Sequence, residues 1–149
     1  MLQERTGIDL NTSLGYLLKE TSAALRTAME AVLRPLGMSI TYYSCLELLA
    51  QRPGLSNSEL ARGAFVSRQA MNVLLRSLEE DGVVTRPEHP VSGRVLPTTL
   101  TERGRRQLIE ASAAVKRVEE RMTSEFTSED EEHLRSLLER CATSLGGPS

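Results

Sequence analysis

Apolar positions recur along this chain at helical spacing, broken by short clusters of turn residues. Leu14, Leu18, Thr21, Leu25, Ala28 and Val32 follow one another at alternating steps of four and three. That stripe predicts a long helix from Thr12 or Ser13 to about Leu36, stopped by Pro35 and Gly37. Residues 1–11 are polar and read as a frayed end. A shorter helix over 42–51, capped by Thr41, gathers Tyr42, Cys45, Leu46 and Leu49 on one face. After Pro53-Gly54 the elements shorten. Ser56 and Glu59 have the spacing of a capping box, and Leu55 and Leu60 that of a hydrophobic staple. This helix is expected to stop at Arg62-Gly63, where glycine tolerates left-handed backbone. Ser67 caps the next helix, which Asp81-Gly82 ends. Two β-branched runs, 83–86 and 94–99, flank a turn-rich tip over 87–93 and predict a small ribbon. Pro97 has no N–H to donate, so its strand must be an exposed edge. Thr101 caps a long return helix with the seam Leu108, Ala111, Val115, Val118 and Met122. Ser128, with Glu131 as its box partner, caps the last helix, whose stripe is Leu134, Leu137, Leu138, Cys141 and Leu145, before Gly146-Gly147-Pro148.

The predicted fold is mainly α: a winged helix-turn-helix with a small β-ribbon wing, flanked by long N- and C-terminal helices. The expected division is 1–36 for an N-terminal dimerisation helix, 37–100 for a DNA-binding lobe and 101–149 for C-terminal dimerisation helices. Both terminal parts carry seams with little of their own to cover them, which points to a homodimer. On a wheel of about 100° per residue, Met71, Leu74, Leu75 and Leu78 share one arc, and Arg68, Gln69, Asn72 and Arg76 another. The second arc offers two guanidinium forks, which match guanine edges, and two amides, which match adenine edges. A recognition helix presents such groups from its first turns. Ser67 is a candidate phosphate contact, and Arg86 and Arg94 are candidates on the wing, where an arginine suits the negative minor groove. Arg103, Arg105 and Arg106 either touch phosphates beside the wing or are simply solvated.

In order, Ser56-x-x-Glu59-Leu60-Ala61, the run from Ser67 to Leu78-Glu79-Glu80-Asp81-Gly82-Val83-Val84, Arg94, and Leu100-Thr101-Glu102-Arg103-Gly104 resemble the MarR family of bacterial transcription regulators. The resemblance covers most of the chain. It implies a homodimeric winged helix-turn-helix on pseudo-palindromic double-stranded DNA, often released by a small ligand, typically an aromatic or phenolic acid. Arg94 matches the family's wing arginine, while Ser92 replaces the aspartate that usually braces it. The resemblance also places a ligand cleft between the first two helices and the DNA-binding lobe, with Tyr16, Tyr42 and Tyr43 as candidate lining residues. The same tyrosines also suit ordinary core and rim packing.

Net charge is −2, which changes the picture only through its distribution. Residues 51–107 carry nine basic and six acidic side chains, residues 108–149 five and nine, and residues 1–50 four and five. The positive block coincides with the proposed reading head, as a nucleic-acid footprint should. Sixteen of the eighteen basic residues are arginine, which by itself says nothing about DNA. Cys45, Cys141, His89 and His133 stand apart, with no metal-ligand spacing, so no metal or other cofactor is expected. A thiol-redox-sensing regulator is the alternative for the cysteines. Some members of the resembled family carry a reactive cysteine near the start of the first helix, where this chain has none. No nucleophile–base pair or phosphate-binding glycine loop is present, so an enzyme is not expected. A protein-interaction module on the same fold is the remaining rival. No apolar run of about 18 residues and no basic-then-apolar leader is present, which suggests a cytoplasmic chain without a membrane partner.

Overall fold

The structure is a computed structural model describing residues 7–86 and 98–147. Arg94, His89, Ser92, Pro97, the 87–93 tip and Pro148 lie outside the described residues, as do residues 1–6 of the polar N-terminal stretch. The elements are α1 (Leu14–Leu33), a 3-10 turn (Arg34–Leu36), α2 (Ile40–Gln51), α3 (Asn57–Gly63), α4 (Arg68–Glu80), β1 (Val84–Thr85), β2 (Thr99–Leu100), α5 (Glu102–Met122) and α6 (Ser128–Ser144). The chain forms two compact units, Met1–Lys116 and Arg117–Ser149.

Several starts and stops follow from local chemistry as expected. The Tyr16 N–H donates to Ser13 Oγ at 3.2 Å, and the Ala70 N–H to Ser67 Oγ at 3.1 Å. Ser56 and Glu59 close a reciprocal capping box at 3.2 and 3.1 Å. The bonds that Glu59 accepts from Ser56 hold its carboxyl below the ordinary glutamate value. Asp81 caps the C-terminus of α4, and Gly82 (φ 72°) turns the chain into β1.

Other boundaries differ. Helix α2 begins at Ile40 under Ser39, not under Thr41: the Tyr42 N–H donates to Ser39 Oγ at 3.1 Å, just after the left-handed Gly37. Helix α6 is capped by Thr127 with Asp130, one residue earlier than the predicted pair of Ser128 and Glu131. Both frames offer a hydroxyl with an acid three residues on, so the pattern fits two registers. Helix α3 does not stop on a left-handed Gly63. Gly63 is helical, and a Cβ there would lie 3.0 Å from the Leu48 side chain, so its value is close approach. The left-handed residue is Phe65, at φ 60°. Strand β1 is also shorter than the predicted run over 83–86, and β2 reaches Leu100, one residue past its predicted end. They pair antiparallel, with Val84 opposite Leu100 and Thr85 opposite Thr99, whose hydroxyls meet at 2.9 Å.

In the first unit the core is Leu33, Cys45, Leu46, Leu60, Met71, Leu75, Leu78, Val83 and Val84, all essentially inaccessible, with Leu100, Leu108, Ala111 and Val115 around them. The α5 seam is therefore mainly core of its own chain, not an uncovered dimer seam; only Met122 at its end is exposed. The α1 stripe divides. Met29, Val32 and Leu33 pack inward, whereas Leu14, Leu17 and Leu18 are more than half exposed. The second unit includes α6, which has no buried residue, and Leu134, Leu137, Leu138 and Leu145 are all exposed.

Candidate nucleic-acid interface

Helix α4 sits on the core through Met71, Leu75 and Leu78, each fully buried. Its outward side carries Arg68, Gln69, Val73 and Arg76, all exposed. Among the described residues, neither Arg68 nor Arg76 has an ion-pair partner. Two free guanidinium groups beside an amide, on a helix fixed from behind, can meet phosphates and base edges without first breaking internal bonds. Ser67 is exposed at the start of this surface, its Oγ engaged by the Ala70 N–H.

Asn72 is placed differently from the other predicted readers. It is half-buried, and its Oδ1 accepts a 2.9 Å hydrogen bond from Asn57 Nδ2 on α3. This bond ties the two helices of the motif together. Val73, 64% exposed, takes the outward place instead. It lies almost opposite the buried arc on the wheel, so angle alone would have found it; sorting by residue type passes over it. Arg86, at the start of the wing, approaches Glu79 at 3.7 Å and is tethered to the end of α4. Arg106 is similarly paired with Glu102 at 3.4 Å.

The wing joins α5 through one tight corner. Thr101 Oγ1 donates to the carbonyl oxygens of Gly82 and Val83, at 2.7 and 3.0 Å, and accepts from the Gly104 N–H at 3.1 Å. Gly104 lies so close to β1 that a Cβ would stand 2.3 Å from the Val83 oxygen. The Leu-Thr-x-x-Gly motif thus has a steric reason.

A family model described as the MarR family matches residues 36–95. The HTH-type transcriptional repressor Rv2887 of Mycobacterium tuberculosis is 43% identical over 134 residues, covering 90% of this chain and 96% of the relative. The chain belongs to the MarR family. A crystal structure of Rv2887 in complex with DNA superposes with a TM-score of 0.72 at 42% identity, over 87% of this chain and 98% of that one. The Rv2887 complex with salicylic acid gives a TM-score of 0.72 at 44% identity, over 87% and 96%.

In this MarR-family chain the three candidate ligand tyrosines lie on α1 and α2, each in a different setting. Tyr42 Oη donates to Gln107 Oε1 at 2.6 Å, bracing α2 against α5, and burial raises its pKa. Tyr43 Oη donates to Glu47 Oε1 at 2.7 Å along α2. Tyr16 is exposed on α1. Cavities among the described residues of the first unit include two open ones. One, of about 400 Å³, is lined by Leu49, Pro53, Thr98, Leu100, Leu108 and Arg105 among others. The other, of about 480 Å³, is more polar and includes Arg26, Glu30 and Arg34. No tyrosine lines either one. Among the described residues, no helix is long and apolar enough to cross a membrane.

Proposed function

We propose that the chain is a homodimeric transcriptional repressor that reads a near-palindromic DNA site with the outward face of α4 and is released by a small aromatic acid. The observation that carries this reading is the two-sidedness of α4: three residues locked in the core, and Arg68, Gln69 and Arg76 presented to solvent without internal partners among the described residues. Ser67 and Arg94 serve phosphates and the minor groove in this reading, and Arg86 supports the wing from its tether to Glu79. The exposed leucines of α1 and α6 supply the apolar surface that a second copy would cover. Two-fold symmetry then spaces the half-sites by about 10 base pairs or a multiple.

A carboxylate-bearing ring suits the cavity between α2, β2 and α5. Its volume falls within the range of small-molecule sites, and among the described residues Arg105 supplies the cation of its lining. The relative solved with salicylic acid supports that ligand class for this chain. The test is fluorescence anisotropy on the duplex that the unaltered chain selects from a randomised pool. Affinity should fall steeply with salt as phosphate contacts release counterions. Gln69→Ala or Arg76→Ala should each cost about 1–3 kcal/mol of binding where the residue reads a base. Salicylate should release the duplex, and Arg105→Ala should blunt that release. Unchanged binding in both α4 variants would remove this helix as the reader.

A further inference from the structure

Phe65 combines two unfavourable features in one residue. Its backbone is left-handed (φ 60°), and its side chain is 94% exposed. Helix α3 ends in a Schellman-type stop, with the Val66 N–H donating to Ala61 O at 3.0 Å and the Phe65 N–H to Arg62 O at 3.2 Å. Such a stop places its left-handed residue where glycine sits without strain, and a bulky side chain there is a genuine outlier. The flanking Ala64 and Val66 are half-buried and packed against the core, so Phe65 is the outward residue of the turn. Among the described residues nothing covers the ring, so their packing does not account for it. The two backbone hydrogen bonds hold the left-handed turn but give the ring no partner, and an outlier of this kind points to a function for the side chain.

The position of the turn says what that contact is. Phe65 stands two residues before Ser67, the cap of α4, and the N-terminal end of a recognition helix is the end that enters the major groove. The turn therefore lies at the rim of the groove. The apolar surface there belongs to deoxyribose faces and thymine methyl groups. We propose that Phe65 is a DNA-contacting residue whose ring packs on this apolar rim and seats the first turn of α4 in the groove. The proposal rests on the reading of α4 as the DNA-reading helix. An apolar contact releases no counterion, so it adds affinity without adding salt dependence. That separates Phe65 from every arginine of the reading head.

The experiment compares Phe65→Gly, Phe65→Asn and Phe65→Tyr in the full chain, on the duplex selected by the unaltered protein. Gly and Asn both accept left-handed backbone. Both should leave the urea midpoint unchanged or raise it, yet weaken binding at least tenfold, with the slope of affinity against salt unaltered. Phe65→Tyr keeps the ring and should bind within about twofold of the parent. A duplex with uracil in place of thymine separates the two sources: a penalty that persists assigns the contact to sugar, and one that vanishes assigns it to the methyl group. A lowered urea midpoint, unchanged affinity, a reduced salt slope or loss of the dimer by light scattering would each overturn the proposal. Gln69→Ala and Arg76→Ala run alongside. If they weaken binding while Phe65→Gly does not, only the Phe65 contact is wrong; if they too are silent, the reading of α4 itself falls.

Discussion

Replacing Gly104 by alanine isolates the corner where wing and return helix meet. In an unconstrained helix this change stabilises by about 0.5–1 kcal/mol, because glycine loses more backbone freedom on folding. Here the new Cβ would stand 2.3 Å from the Val83 carbonyl oxygen, well inside the 3.0 Å that real Cβ contacts respect, and 3.2 Å from Leu100 Cδ2. The obstructing atom is backbone and cannot swing away. That same oxygen accepts from the Thr101 N–H and from Thr101 Oγ1, both at 3.0 Å. Moving it strains two hydrogen bonds of about 0.5–1.5 kcal/mol each, on top of about 1–3 kcal/mol for overpacking. Set against the helix gain, the net expectation is a loss of about 3 kcal/mol, or roughly 6–12 °C in Tm for a chain of this length. The control is Gly15→Ala. Gly15 is helical and exposed, with only Ser13 Oγ near its Cβ position, at 3.9 Å, so alanine there should gain about 0.5–1 kcal/mol. Urea unfolding followed by circular dichroism, at one fixed protomer concentration, measures both. A Gly104→Ala protein as stable as the parent, or a Gly15→Ala protein destabilised to the same extent, would refute the steric account.

Two further outcomes follow from named contacts. Asn57→Ala and Asn72→Ala should each lower stability by about 0.5–1.5 kcal/mol, and the double variant should lose little more than either alone, since both remove one bond; additive losses would mean that the pair does not brace α3 against α4. Burial pushes the Cys45 thiol up to about 12 from an ordinary value of 9.0, whereas Cys141 is exposed. One equivalent of a thiol reagent should therefore react with the native protein at pH 8 and two with the unfolded chain. Because the folded state holds Cys45 neutral while the unfolded thiol ionises, its contribution to stability is complete below pH 9 and lost as pH rises towards 12. Rapid labelling of Cys45 in the native state would contradict its burial.

What the sequence disclosed, and what it hid, divides by the range of the contact. Ser56 and Ser67 were legible as caps because a hydroxyl and an amide three residues away settle the matter locally, whereas Ser13 was one of two candidates beside Thr12. Ser39 and Thr127 were not, because a second hydroxyl stood one or two residues on and either frame satisfied the pattern. The stop of α3 hid a tertiary fact: Gly63 is helical and answers to the close approach of the Leu48 side chain, while the left-handed turn falls on Phe65. The two-sidedness of α4 was legible in outline from its periodicity, but the half-burial of Asn72 follows from α3, where Asn57, fifteen residues earlier, donates to the Asn72 oxygen. The Tyr42–Gln107 bond spans 65 residues and left no trace in any window.

The seams make the same point in physical terms. A four-three spacing fixes which side of a helix is apolar and says nothing about what covers it. In α5 that side meets its own chain, with Leu108, Ala111, Val115 and Val118 buried; in the first half of α1 and throughout α6 it meets solvent. Single exposed apolar side chains are normal on any protein, but leucines recurring along one stripe are a contiguous apolar surface of the kind that marks an interaction site. In the proposed dimer, the N-terminal turns of α1 and the length of α6 are therefore where a second copy would gain surface from pairing. Substitutions there should change the concentration at which the protein assembles, while those in the α5 seam should change whether a single chain folds.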